Sequence, residues 1–171
     1  MQYKKLRNAY KPDSIRAVFV LESPPKSGKF FYNPEGKTTE SLFKAMMELI
    51  GYAPKDQQKQ DGLKEFKSRG LIIVDAIYMP VNGMKKKERN NRIIGKYKVL
   101  LQDLNALIPG KRTPLILVKA NICRLLEKRL KKDGFTVANE GIVVYFPSGR
   151  QQGKFRKQIA SVLNKSGIKV S

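Results

Sequence analysis

The sequence predicts an α/β fold: a three-layer α/β/α sandwich around a central, mostly parallel sheet of four to five strands. Three observations carry this. Short apolar runs break into loops bearing proline and glycine, segments of helical apolar spacing lie between those runs, and the alternation passes once along residues 1–171 with no internal repeat and no linker, so one domain is expected. Strands alternating with helices at this spacing pair in parallel through right-handed crossovers.

The first strand is RAVFVL at 16–21, stopped by the loop ESPPKSGK. Over 39–52 the residues Leu42, Phe43, Met46, Met47, Leu49 and Ile50 recur at helical spacing, with Thr38 or Thr39 as N-cap and Gly51 beyond the end. APKDQQKQDG reads as loop and GLKEF as a short helix, before Leu71 to Val74 give a second strand that runs into DAIYMPVNG. After the basic stretch KKKERNNR, a helix over 91–108 aligns Ile94, Tyr97, Leu101, Leu104 and Ile108 on one face and ends at Pro109 and Gly110. A third strand, PLILV, passes directly into a helix marked by Ile122, Leu125, Leu126 and Leu130 and closed by Gly134. FTVA and IVVYF supply two more strands, and PSGRQQGKFRKQIASVLNKSG turns from a loop into the last helix.

Composition narrows the chemistry. The chain carries 35 Lys and Arg against 14 Asp and Glu, a net charge of +21, and such self-repulsion is relieved by a polyanion, so nucleic acid is the first partner to consider. A salt- or heat-adapted protein also enriches Lys, but Glu rises with it, and here acidic residues are scarce. Cys123 is the only cysteine, which leaves no intrachain disulfide, zinc quartet or cysteine-held cluster and favours a reducing interior, cytoplasmic or nuclear. The basic start MQYKKLRNAY has no apolar signal core after it, and no apolar run is long enough to cross a bilayer. Nothing calls for an obligate partner subunit, so a monomer is expected. With no histidine in the chain, chemistry falls to carboxylates, hydroxyls, amides and lysines.

In open parallel sheets the ligand site lies beyond the carboxyl ends of the strands. That rule selects Glu22 and Ser23, Asp75, Lys119, and residues 146–150. A carboxylate among cations suits two reactions on nucleic acid: holding a divalent metal for phosphodiester cleavage, or stabilising a sugar cation while orienting water for base excision. The plainer alternative is that Glu22 caps its loop and Asp75 pairs with a lysine. The SGK of the first loop is no phosphate loop, because Ser23 stands where glycine is needed and Phe30 where the metal-binding hydroxyl belongs. Phe30, Phe31 and Tyr32, consecutive in a non-periodic loop, offer flat faces for an unstacked base, with Phe30 or Tyr32 expected to pack the loop on the core.

LESPPKSGKFFYNPEG, between a strand and a helix, resembles the first motif of the uracil-DNA glycosylase superfamily. LIIVDAIYMPVNG is similar to its second strand, PLILVKANICRLL to its third strand and helix, and VVYFPSGRQQGKFR occupies the place of its second motif, a His-Pro-Ser type loop. The resemblance covers nearly the whole chain in order. It implies water activation at Glu22 and Ser23, base stacking at Phe31 beside Phe30 and Tyr32, base reading or catalysis at Asp75, and DNA contacts from Lys26, Lys29, Lys119, Pro147, Ser148, Gly149, Arg150, Lys154 and Arg156. It implies a branch without the iron-sulfur cluster, and neither metal nor other cofactor. The function implied is that of a monofunctional DNA glycosylase excising a deaminated base, uracil first.

Three positions depart from the family pattern. Phe146 replaces a frequent histidine, so the departing base must be steadied by a backbone amide, Ser148, Arg150 or another donor. Ser23 stands where several families have an acid, which shifts the burden to Glu22 or Asp75. Asp75 replaces the common asparagine, and an ionised carboxylate only accepts hydrogen bonds, so it would repel uracil's carbonyl. Asp75 is therefore protonated, or catalytic, or the substrate is not plain uracil. Three alternatives stand beside the leading reading: a Schiff-base lyase at Lys119, a magnesium nuclease using Glu22 and Asp75, and a binding module of the same fold without catalysis.

Overall fold

Three parallel strands, β1 (Ala17–Leu21), β2 (Leu71–Asp75) and β3 (Leu115–Leu117), form a sheet in the order β2-β1-β3 in a computed structural model that describes residues 2–170. Met1 and Ser171, the ends of the expected domain, lie outside the described residues. Every residue of the three strands is buried. Side chains along a strand point alternately to opposite faces, so both faces of the sheet are covered, as the uninterrupted apolar runs require. The register sets Leu21 opposite Asp75, and the pairing continues past it through the Ala76 and Ile77 N–H groups, which donate to the Leu21 and Glu22 carbonyls at 2.8 and 3.1 Å.

The mixed α/β class and the parallel pairing are those expected; the strand count is smaller. FTVA contributes a single bridge, Val137 to Leu115, and IVVYF joins no ladder. The reason is Asn139, which is fully buried. Its Oδ1 accepts the Leu117 N–H at 2.7 Å, and its Nδ2 donates to the Leu117 and Ile142 carbonyls at 3.0 Å each. A side-chain amide thus takes the Leu117 hydrogen bonds that would have carried the pairing on from Leu115, whose N–H and carbonyl bond Thr136 and Ala138 at 2.8 Å each.

The helices are α1 (Gln2–Ala9), α2 (Ser41–Ile50), α3 (Lys59–Ser68), α4 (Lys86–Gly95), α5 (Tyr97–Leu107), α6 (Ala120–Lys132) and α7 (Gln152–Ser166). α2 ends as its glycine predicts, with Gly51 left-handed at φ 65°. Its N-terminus differs: Glu40, not a threonine, precedes the first turn and makes no side-chain cap. Glu40 instead accepts the Lys37 N–H at 3.0 Å and pairs at 2.7 Å with Lys59, whose side chain is buried and also donates to the Phe30 carbonyl at 2.8 Å. The helix expected over 91–108 is broken at Lys96, whose φ and ψ of −101° and 7° leave the α region. The break turns the buried face to Ile93, Leu100, Leu104 and Ile108, leaving Ile94 and Tyr97 half-exposed.

Phe19 of β1, Phe66 of α3, Phe31 of the first loop and Phe43 of α2 pack in sequence with ring centroids 6.2, 5.1 and 5.7 Å apart. α1, unforeseen from its charged sequence, is fastened by Arg7, which donates to Asp103 Oδ2 at 2.6 Å and to the Tyr78 hydroxyl at 2.7 Å. From α1, Tyr3 meets Phe30 edge-on at 4.9 Å, so the helix also braces the aromatic loop. No helix among the described residues is long and apolar enough to cross a membrane.

Candidate functional site

A cleft of about 390 Å³ opens beyond the carboxyl ends of β1, β2 and β3, where crossover loops and helix N-termini converge. Its apolar walls are Phe30, Phe31, Phe43 and the half-buried Phe146; Glu22, Ser23, Lys29, Asp75, Asn82, Lys119 and Ser148 supply its polar groups.

Glu22, one residue past β1, is 6% exposed and held by donors on every side. Lys119 Nζ pairs with Oε2, Asn121 Nδ2 donates to Oε1, and Arg89 Nε lies 3.3 Å from Oε1, although off the hydrogen-bonding direction. Lys119 reaches Glu22 from a backbone at φ 85°, a conformation that costs an L-residue of order 1 kcal/mol or more and persists only where its surroundings enforce it. Its N–H donates to the Val144 carbonyl at 2.9 Å, which fixes that turn.

Asp75, at the end of β2, is 5% exposed, yet no hydrogen bond or ion pair reaches its carboxyl among the described residues; only its backbone N–H is engaged, to the Tyr78 hydroxyl at 3.4 Å. Burial pushes its carboxyl up to about 8, with the Arg7 charge opposing and Glu22 and Asp103 adding to the rise. Raised in this way, the carboxyl favours its protonated form, which offers one O–H donor and one carbonyl acceptor to the cleft.

Of the residues selected from sequence, Glu22, Ser23, Lys29, Phe30, Phe31, Asp75, Lys119, Phe146 and Ser148 come together at the cleft. Tyr32 does not: it is 1% exposed and its hydroxyl accepts the Ile73 N–H at 2.7 Å, making it a core residue. Lys26, Pro147, Gly149 and Arg150 are not among the cleft's lining residues. The Lys26 N–H donates to Asn82 Oδ1 at 3.3 Å, Pro147 is buried with its carbonyl accepting from Gln152 at 2.6 Å, and Gly149–Gln151 form a tight turn leading into α7. Lys154 sits over the Tyr145 ring at 5.1 Å and Arg156 lies 3.3 Å from Glu48, both on α7. Sequence reasoning missed Arg89 and Asn121 as partners of Glu22, and Phe43 as a wall. Asn121 was within reach of the strand-end rule, two residues past Lys119; nothing local marks Arg89.

No group of three or more His, Cys, Asp or Glu side chains able to hold a metal forms among the described residues, and Glu22 is paired with cations. No protein-family model, curated protein or solved structure matches the chain.

Proposed function

We propose that this protein is a monofunctional DNA glycosylase that hydrolyses the N-glycosidic bond of a deaminated base, uracil first. The observation that carries this reading is Asp75: a buried, neutral carboxyl without a protein partner, at the floor of an aromatic-walled cleft in a strongly basic chain. A protonated carboxyl presents the same donor and acceptor pair as an amide, so it accepts from the imide N–H of uracil while donating to the adjacent carbonyl. The resemblance to the uracil-DNA glycosylase superfamily adds to this, and in that reading the helices covering the two faces of the sheet are the outer layers of an α/β/α sandwich.

The other roles follow from position. Phe146, the wall with most accessible face, offers its ring to the base, and Phe31, 3% exposed and packed against Phe43 and Phe66, backs the cleft. Lys119 supplies the positive charge that steadies the departing base where the family has histidine. Glu22 aims Lys119 and, with Ser23, orients water toward the sugar. Most Lys and Arg side chains have no carboxylate partner among the described residues and remain available to phosphates, drawing in the duplex. The ion pair with Glu22 occupies the Lys119 amine, which speaks against a Schiff-base lyase, and the cations already paired with Glu22 speak against a magnesium nuclease.

One observation favours a second reading, a binding module without catalysis: both oxygens of Glu22 are taken by donors, leaving no free carboxylate to activate water. A single assay separates the two. Uracil-containing oligonucleotides, single-stranded or paired with G or A, are incubated with the protein in EDTA and then treated with alkali. The glycosylase reading expects an alkali-dependent nick, retained by Asp75→Asn and lost in Asp75→Ala. Salt-sensitive binding with no nick assigns the chain to the binding module.

A further inference from the structure

Asp75 lines two cavities. Besides the aromatic cleft, it borders a second space of about 360 Å³ lined by Ala76, Ile77, Tyr78, Met79, Val99 and Leu100, with Lys4 and Lys96 also in its lining. Met79 and Val99 are the large apolar side chains left exposed among the described residues, at 36% and 45%, and both belong to this one cavity. The Arg92 guanidinium stands 4.0 Å from the Met79 sulfur. Elsewhere the chain buries its apolar residues, so a mostly apolar cavity among Lys4, Lys96 and Arg92 is a built feature rather than leftover surface.

We propose that this second cavity takes a neighbouring nucleobase of the same nucleic-acid strand, so that Asp75 is shared by two base sites. This rests on the reading of DNA as the partner. A nucleobase has the apolar, polarisable face that Met79, Tyr78 and Val99 match, sulfur on a ring face included, and it arrives with a phosphate that Lys96 would meet. Lys4 and Arg92 already pair with Asp103 and Glu88, at 3.5 and 3.3 Å, so Lys96 is the cation of this rim without a carboxylate partner among the described residues and the one most available to a phosphate.

The test uses protein labelled with ¹³C-methyl methionine, its Met79 resonance assigned through Met79→Leu, and single-stranded hexathymidylate as the probe. An upfield ring-current shift of the Met79 methyl, saturating in step with binding followed by anisotropy while the buried Met46 methyl stays still, is the expected result. The double substitution Met79→Ser with Val99→Ser, at two exposed positions, should weaken hexathymidylate binding about tenfold, the worth of one stacked base. Binding of unchanged affinity with an unmoved Met79 methyl overturns the second site and leaves DNA as partner. No binding at all overturns both. A Met79 methyl that moves with protein concentration before any hexathymidylate is added assigns the face to a second copy of the chain and overturns the proposal.

Discussion

Two carboxyl groups end neighbouring strands of one sheet and are almost equally buried, Glu22 at 6% exposure and Asp75 at 5%, yet they live opposite lives. Glu22 is surrounded by Lys119, Arg89 and Asn121, and its charge is answered on the spot. Asp75 has no donor of its own and meets the charge of Arg7 only at a distance, so burial wins and the proton stays on. Burial alone therefore does not set the state of an acid; the partners brought to it do. A carboxyl paired with cations and a carboxyl left without a donor can divide the work of a site, the second as a hydrogen-bonding group that keeps its proton more readily.

Breaking the Asp75 side should give the largest effect. Its folded value of about 8 lies above the 3.8 of an unhindered aspartate, so between those limits the unfolded chain releases a proton that the folded chain keeps. Stability contributed by the protonated form is whole below about pH 4 and is lost as pH rises to about 8, at up to about 1.4 kcal/mol per pH unit. Asp75→Asn keeps the shape and removes the titration, so in urea unfolding across that window the variant should gain steadily on the parent, by several kcal/mol in all. Equal pH profiles would deny the neutral acid.

Breaking the Glu22 side should cost less and in the opposite direction. Glu22→Gln leaves Lys119 and Arg89 facing each other without a countercharge. A buried pair so broken costs about 3 kcal/mol, and because the two cations are 33% and 24% exposed, solvent recovers part of it, so a loss of about 2 kcal/mol is expected from urea titration at pH 7. The smallest effect sharpens the contrast. Glu88 pairs with Arg92 at 3.3 Å on the surface of α4, with 53% and 44% of the side chains exposed, and Glu88→Ala should shift the urea midpoint by an amount equivalent to less than about 0.5 kcal/mol.

What the sequence disclosed and what it hid follow the range of the interactions. β1, β2 and β3 were legible because each is an unbroken apolar run ending in a loop, and the strand-end rule then placed Glu22, Ser23, Asp75 and Lys119 at one cleft without any structure. The missing fourth and fifth strands were not legible, since FTVA and IVVYF have strand composition and only the fold turns Asn139 inward to occupy Leu117. Arg7 was hidden for the same reason: its partner Asp103 lies 96 residues away. Arg89 reads locally as one more cation in a solvated run. The Lys96 break is better concealed, because a helical apolar pattern runs through it, though Gly95 before it weakens the helix locally. Among the aromatics, the loop position was readable and so was the packing of one of Phe30 and Tyr32 on the core, but which of them it is depends on contacts with distant elements; Phe146, placed at the site by the strand-end rule, became a wall.

The measurement that reaches the central claim most directly is a ¹³C NMR pH titration of the aspartate side-chain carboxyls, with the Asp75 signal identified by its absence in Asp75→Asn. An inflection near 8 is the predicted result, leaving a neutral donor and acceptor in the cleft at physiological pH. An inflection below about 5 would mean an ionised carboxylate there, and would contradict both the neutral acid and the base reading built on it.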